Sequence, residues 1–109
     1  PHPAAYGGFP RVLRRYVREE EVISLEEAIR RMTSLPADIV GLRDRGRIAN
    51  GLPADLVLFD QDEVTDHATL DNPRTRSTGI RATVVNGQIV TRDGRLTGAL
   101  PGRVLRRGA

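Results

Sequence analysis

Residues 54–60 read Ala54-Asp55-Leu56-Val57-Leu58-Phe59-Asp60, an unbroken apolar run held between acids. Successive strand side chains point to opposite faces, so a strand with one wet face alternates apolar and polar residues, whereas a continuous run predicts a strand covered on both faces. Such a strand needs neighbours, and the sequence downstream supplies some. Ile80, Ala82 and Val84 alternate with Arg81, Thr83 and Val85, Asn86-Gly87 offers two residues that tolerate positive φ, and Gln88 to Arg92 returns as the second arm of a hairpin. Asp93-Gly94 turns the chain again into Arg95-Leu96-Thr97, a last short strand. On the other side of the run, Asp44-Arg45-Gly46-Arg47 is turn-like, Ile48 and Ala49 begin a strand, and Asn50-Gly51 gives a further hairpin signal. Four or five short strands with few large side chains make an incomplete sheet, one that completes a sheet or sandwich whose other strands lie elsewhere.

Upstream of Leu42 the periodicity is helical. Gly7-Gly8 predicts a flexible break, after which Pro10 occupies the first turn of a helix, where its missing N–H costs nothing. Phe9, Val12, Leu13, Tyr16 and Val17 then form one apolar stripe, and Arg11, Arg14, Arg15 and Arg18 lie outside it, neutralised by Glu19, Glu20 and Glu21. Ser24 followed by Glu27 is a capping-box signature that starts a second helix with Leu25, Ala28, Ile29 and Met32 on its apolar face. After Thr33 or Ser34 comes a short third helix, Pro36 to Val40, ended by Gly41.

Composition removes whole classes of function. A chain of 109 residues is too short for a self-contained α/β barrel of about 250 residues, and with 39% hydrophobic and 4% aromatic residues its own core is aliphatic and thin, so a docking partner is expected. There is no cysteine, hence no disulfide, no thiolate chemistry and no Cys-based zinc module. No apolar run is long enough for a membrane span and residues 1–10 lack the pattern of a signal peptide, so the reading is a soluble protein; a start at Pro1 in mid-pattern reads as an excised fragment. The formal charge is +3, and all 17 basic residues are arginine. The excess sits at the end, where Arg92, Arg95, Arg103, Arg106 and Arg107 face only Asp93, yet no reading helix and no interleaved aromatics accompany this tail, which argues against nucleic acid.

The residues offer no active site of their own. His2 and His67 are 65 positions apart and in loop contexts, and no HxH or HExxH pattern exists, so the chain cannot assemble a hydrolytic metal cage. Asp60 and Asp62 lack the glycine and spacing of a calcium loop and read as solvated turn residues. Ser24 is a cap, Ser34 neighbours one, and Ser77 has no nucleophile-elbow context, while the glycines are spaced for turns rather than for a phosphate loop.

One stretch carries more than periodicity does. His2-Pro3-Ala4-Ala5-Tyr6-Gly7-Gly8-Phe9-Pro10-Arg11-Val12-Leu13 resembles the segment that follows the last barrel strand in the N-acyl-D-amino-acid deacylases, or D-aminoacylases, of the metal-dependent amidohydrolase superfamily. The likeness continues through Glu26-Glu27-Ala28 and Met32 to Ala37, through Arg45-Gly46-Arg47-Ile48, Gly51 and Ala54 to Asp60, and through Val85-Asn86-Gly87 to Thr97-Gly98, Pro101-Gly102-Arg103 and Leu105-Arg106-Arg107. The 54–60 stretch is common to many amidohydrolases and speaks for the superfamily more than for a substrate. The family often has Arg directly after the His-Pro pair, and here Ala4 stands there, with no charge to offer a substrate carboxylate.

The resemblance implies an α+β fragment: the last helices of an amidohydrolase (β/α)8 barrel in residues 1–43, then strands of the small β-sandwich domain and a basic tail in 44–109. It implies a zinc-dependent parent enzyme that hydrolyses the non-peptide C–N bond of N-acyl-D-amino acids to a carboxylate and a D-amino acid, in the cytoplasm, with the zinc ligands and the proton-shuttling Asp upstream of Pro1. No catalytic or metal-binding residue then falls within these 109 residues, and the isolated chain is expected to be inactive. His2 and Tyr6, on a loop leaving the catalytic face, take a pocket-rim role under this reading; the alternatives are a solvated His2 and a Tyr6 packed on Phe9. Ser24, Glu27, Asp55, Asn86 and Gly87 are assigned structural roles. The implied partners are the remainder of the same enzyme, the small-molecule substrate and a second copy in a homo-oligomer, with no nucleic acid and no membrane. Two competing readings stay open: the tail of a related amidohydrolase with another amide substrate, such as N-acyl-D-glutamate, and a noncatalytic module that binds a protein or, through its basic tail, nucleic acid.

Overall fold

Helix α1 begins at Ala4 and runs to Arg11, so Gly7 and Gly8 lie inside a helix rather than at a break, and Pro10 lies in its last turn rather than its first. The computed structural model, which describes residues 1–108, shows why both are tolerated. Gly7 is buried where the 66–68 segment crosses the helix, and a Cβ on it would lie 3.0 Å from the Asp66 Cβ. Pro10 has no N–H to give the carbonyl four residues back, and that carbonyl, of Tyr6, accepts instead from the Ser77 hydroxyl at 3.3 Å.

Beyond Pro10 the helix widens. Val12–Glu19 is π-helical, with Glu20 N–H donating to the Arg15 carbonyl five residues back at 2.8 Å. The widened turn aligns residues five apart, and the ion pairs follow that spacing: Arg14 with Glu19 at 2.6 Å and Arg15 with Glu20 at 2.9 Å. The expected neutralisation by the glutamates is thus met for Arg14 and Arg15 only, whereas Arg11 faces Asp66 and Arg18 bonds the Gln61 carbonyl and Thr65. After the segment come α2, Leu25–Met32, whose first turn is tied by Glu27 N–H donating to Ser24 Oγ at 3.1 Å, and α3, Ser34–Val40. Gly41 at φ +82° ends α3, and Leu42 N–H reaches back to the Ala37 carbonyl at 2.9 Å.

The strands are β1 Leu56–Phe59, β2 Ile80–Val85, β3 Gln88–Arg92 and β4 Arg95–Leu96, in one sheet of order β1-β2-β3-β4. β2 and β3 are antiparallel with Val85 opposite Gln88, and a bulge interrupts the register between Thr83 and Val84. β3 and β4 are antiparallel as well. The expected α+β make-up, helices first and an unclosed sheet after, is what the chain forms.

Two sequence expectations fail in this region. Ile48-Ala49 is not a strand, and Asn50-Gly51 makes a turn without a hairpin. The turn chemistry explains it: at 86–87 both central residues have positive φ, +47° and +79°, the combination whose twist matches paired strands, whereas at 50–51 only Gly51 does. Within this chain Val57 and Leu58 of β1 are 57% and 63% exposed, so these residues alone do not cover the strand's faces.

The chain divides into two compact units, each made of two segments. One comprises Pro1–Ala28 with Phe59–Ile80, and its core is Leu13, Ala28 and the fully buried Val64. The 59–80 segment holds itself together by Asp60 N–H to the Gly79 carbonyl and a Thr65–Thr78 bridge. The other comprises Ile29–Leu58 with Arg81–Ala109, and among its described residues only Ala37 is a buried apolar side chain.

Candidate functional site

His2 precedes the Pro3 cap of α1 and Tyr6 lies in its first turn. The His2 Nδ1 accepts the Ala4 N–H at 3.0 Å. An accepting Nδ1 leaves the proton on Nε2, so the ring presents a hydrogen-bond donor outward and no lone pair for a metal. Tyr6 is 43% exposed, and while its carbonyl is held by Ser77, its hydroxyl has no partner among the described residues. Each offers a polar group for hydrogen bonding, and the Ser77 contact ties the Tyr6 backbone to the 59–80 segment.

An ion cluster that sequence reading does not single out joins the helical segment to residues 59–80. The Asp66 carboxylate, 7% exposed, accepts from Arg14 Nε at 2.6 Å and lies 3.8 Å from Arg11 Nη1. Burial pushes its carboxyl up, but the hydrogen bond from Arg14, the residue's own amide and the charges of Arg14 and Arg11 outweigh that and hold it below the usual carboxylate value. Arg18 completes the tie by donating to the Gln61 carbonyl at 2.9 Å and to Thr65 Oγ1 at 3.3 Å. These arginines hold the 59–80 loop on the helix. The signal available in sequence was only a set of arginines on one helix and acids in a distant loop, with nothing to pair them.

Of the residues expected to be structural, Asp55, Asn86 and Gly87 belong to a second cluster. Asp55 Oδ1 accepts the Asn86 N–H at 2.8 Å, Asp55 Oδ2 and Asn86 Oδ1 both take Arg45 Nη1 at 2.6 Å, and Asn86 Nδ2 reaches the Pro101 carbonyl at 2.8 Å. Gly87 N–H donates to the Ala54 carbonyl at 2.9 Å, so the 86–87 turn is fastened to the residue pair that opens β1. Ser24 caps α2 as described, and Glu27 gives the amide that its hydroxyl accepts.

Neither His2 nor Tyr6 lines a cleft of about 260 Å3 among Leu13, Val17, Phe59 and Val64, or one of about 480 Å3 beside Gly41 and Arg107. Among the described residues no group of three or more His, Cys, Asp or Glu side chains is placed to hold a metal ion, and His67 Nε2 is engaged with Thr78 Oγ1 at 2.8 Å. The donor set for a zinc ion is thus not met by these residues. No helix among them is long and apolar enough to cross a membrane.

Against known proteins, a profile of the amidohydrolase family matches residues 1–91. An N-acyl-D-glutamate deacylase of Alcaligenes xylosoxydans xylosoxydans is 51% identical over 109 residues, covering 100% of this chain and 22% of the relative. The crystal structure of a D-aminoacylase has a TM-score of 0.95 at 46% identity, over 98% of this chain and 23% of that one. The N-acyl-D-glutamate deacylase of Bordetella bronchiseptica, solved with zinc and a phosphonate mimic of the tetrahedral intermediate, has a TM-score of 0.86 at 48% identity, over 97% and 22%. The chain spans a little over a fifth of the length of these relatives.

Proposed function

The chain belongs to the amidohydrolase family, and from that premise we propose that it is the C-terminal part of a zinc-dependent deacylase acting on N-acyl-D-amino acids. The observation that carries the proposal is identity at about half of all positions with a deacylase of this substrate class along the whole chain, together with fold agreement with two solved members. In the proposed reaction water adds across the amide, the C–N bond breaks, and a carboxylate and a free D-amino acid leave.

None of the hydrolytic chemistry is assigned to these residues. Their donor set does not fit zinc, so the metal and the groups that activate water and move protons belong to the rest of the enzyme. What this part contributes is scaffold and rim. The Arg14–Asp66 tie and the Ser77–Tyr6 contact fix the start of α1, where His2 and Tyr6 present hydrogen-bonding groups to the substrate pocket. We also propose that residues 1–43 complete the barrel and 44–109 enter the small β domain, that the uncovered faces of β1 pack on other parts of the same enzyme, and that the enzyme is cytoplasmic and homo-oligomeric.

The test is the intact polypeptide that carries these residues, purified with zinc and assayed for release of D-amino acid from the N-acetyl derivatives of D-glutamate, D-aspartate and D-methionine. Turnover of at least one is expected, with no turnover by residues 1–109 alone. Failure with all three, or turnover by the isolated chain, overturns the proposal.

A further inference from the structure

We propose that Ser77 is a positioning residue for the substrate, acting through the backbone carbonyl of Tyr6; this rests on the reading of Tyr6 as a residue of the pocket rim. The sequence leaves one gap in helix α1. A helical carbonyl at residue 6 accepts the N–H of residue 10, and Pro10 has none to give. The Ser77 hydroxyl, 71 residues away along the chain, donates to that carbonyl at 3.3 Å.

The same segment meets this peptide unit again at its next residue. Gly7 is buried, and a Cβ on it would lie 3.0 Å from the Asp66 Cβ and 3.6 Å from the Ala68 Cβ. Asp66 is itself held, by Arg14 Nε at 2.6 Å. Ser77 is fixed from its other neighbour, because Thr78 exchanges backbone hydrogen bonds with Thr65 at 2.9 and 3.0 Å and its Oγ1 engages His67 Nε2 at 2.8 Å. Each of these contacts is one that the chain makes with itself, so none depends on what the rest of the enzyme covers. A helical carbonyl without its N–H tilts toward water and bends the helix, and the backbone at Tyr6 sets the direction in which its side chain leaves. Ser77 replaces the missing donor and fixes that direction before substrate arrives, which lowers the ordering cost of binding. A rim contact made away from the reacting bond contributes equally to ground state and transition state, so its loss is read in KM and not in kcat.

The test is steady-state kinetics of the intact zinc-loaded enzyme on the N-acetyl derivatives of D-glutamate, D-aspartate and D-methionine. Ser77→Ala should raise KM about fivefold at unchanged kcat, the fold-change of one neutral hydrogen bond, and Ser77→Thr, which keeps the hydroxyl, should restore it. Thr75→Ala removes a hydroxyl that bonds the Asn72 carbonyl inside the same segment, and should leave KM where it is. Tyr6→Phe should raise KM as well, and adding Ser77→Ala to it should change nothing further, since residues that act through one another are not additive. Pro10→Ala gives the Tyr6 carbonyl a helical N–H, so Ser77→Ala in that background should lose its effect. KM does not depend on the fraction of molecules folded, so a folding defect does not imitate these results. If Tyr6→Phe raises KM, this proposal alone is overturned by a Ser77→Ala effect on kcat or on neither constant, by an equal KM rise in Thr75→Ala, by failure of Ser77→Thr to restore KM, or by a Ser77→Ala effect that persists in full beside Tyr6→Phe or Pro10→Ala. An unchanged KM in Tyr6→Phe, or no turnover of any of the derivatives, overturns it together with the rim reading.

Discussion

Arg14 Nε and the Asp66 carboxylate meet at 2.6 Å although 52 residues of chain separate them, and with Asp66 only 7% exposed this contact holds the 59–80 loop against the first helix. Asp66→Asn keeps the shape and removes the charge. We expect it to lower unfolding stability by about 2 kcal/mol at neutral pH, the range for a hydrogen bond between charged partners. The Asp66 carboxyl is held below its unfolded value of about 3.9, so its contribution is complete above that pH and disappears as pH falls through the folded value. Urea unfolding at neutral pH and at acid pH should therefore show a smaller acid loss in Asp66→Asn than in the parent. Equal acid losses in the two proteins would show that Asp66 is not a source of the acid sensitivity.

The ion pairs along the π-helical segment predict the opposite. Arg15 and Glu20 are aligned by the five-residue spacing, yet both side chains are nearly half exposed. Solvent and salt screen such pairs, and holding two long side chains in place costs entropy. Glu20→Gln should leave the urea midpoint where it is, at low and at high salt. A salt-dependent drop as large as that of Asp66→Asn would show that these pairs hold the widened helix.

Local chemistry was legible in the sequence and distant contact was not. The Ser24 cap, the Gly41 stop and the Asn86-Gly87 hairpin each depend on residues within a few positions of one another, and each forms where the residue types require it. The start of α1 was misplaced because its two apparent breakers are made acceptable from far away: the crossing of Asp66 and Ala68 favours the smallest residue at 7, and Ser77 supplies the donor that Pro10 lacks. Val64, the most deeply buried side chain, sits in an acidic stretch with no hydrophobic periodicity to mark it. The proton on His2 Nε2 was not legible either, because it follows only from the contact with the Ala4 amide.

The Asp55 carboxylate ties together Arg45 and the 86–87 turn, and Arg45 is 10% exposed, with a buried Nε that has no hydrogen bond. Burial raises the Asp55 carboxyl, but the Asn86 amide and Arg45 more than offset this and keep it below the usual range, so it is ionised at neutral pH. Asp55→Ala leaves the largely buried Arg45 guanidinium with only the half-exposed Asp44, 3.7 Å from its Nε, as counter-charge and should cost about 2 kcal/mol. Asp55→Asn retains an acceptor for the Asn86 N–H. Hydrogen exchange should speed up at Asn86 in Asp55→Ala and stay slow in Asp55→Asn; unchanged protection in both would mean that the hairpin holds its turn without Asp55.

Two glycines with the same backbone angle should respond differently to one methyl group. Gly79 has φ +84° and Gly51 has φ +85°, so alanine at either position carries a left-handed backbone penalty of about 1 to 2 kcal/mol. At Gly51 nothing lies within 4 Å of the added Cβ, and that penalty should be the whole effect. At Gly79 the Cβ would lie 2.5 Å from both the N and the Cα of Val64, which are backbone atoms in a segment fixed by the Asp60 N–H to Gly79 carbonyl bond. Backbone cannot swing aside as a side-chain tip can, so either that bond breaks or fully buried Val64 leaves its place. We expect Gly79→Ala to cost at least about 3 kcal/mol, by the strain and repacking mechanisms that produce large single-site effects. Urea unfolding of the two variants side by side checks this, and equal losses would show that the 59–80 segment yields at Val64 more easily than its packing implies.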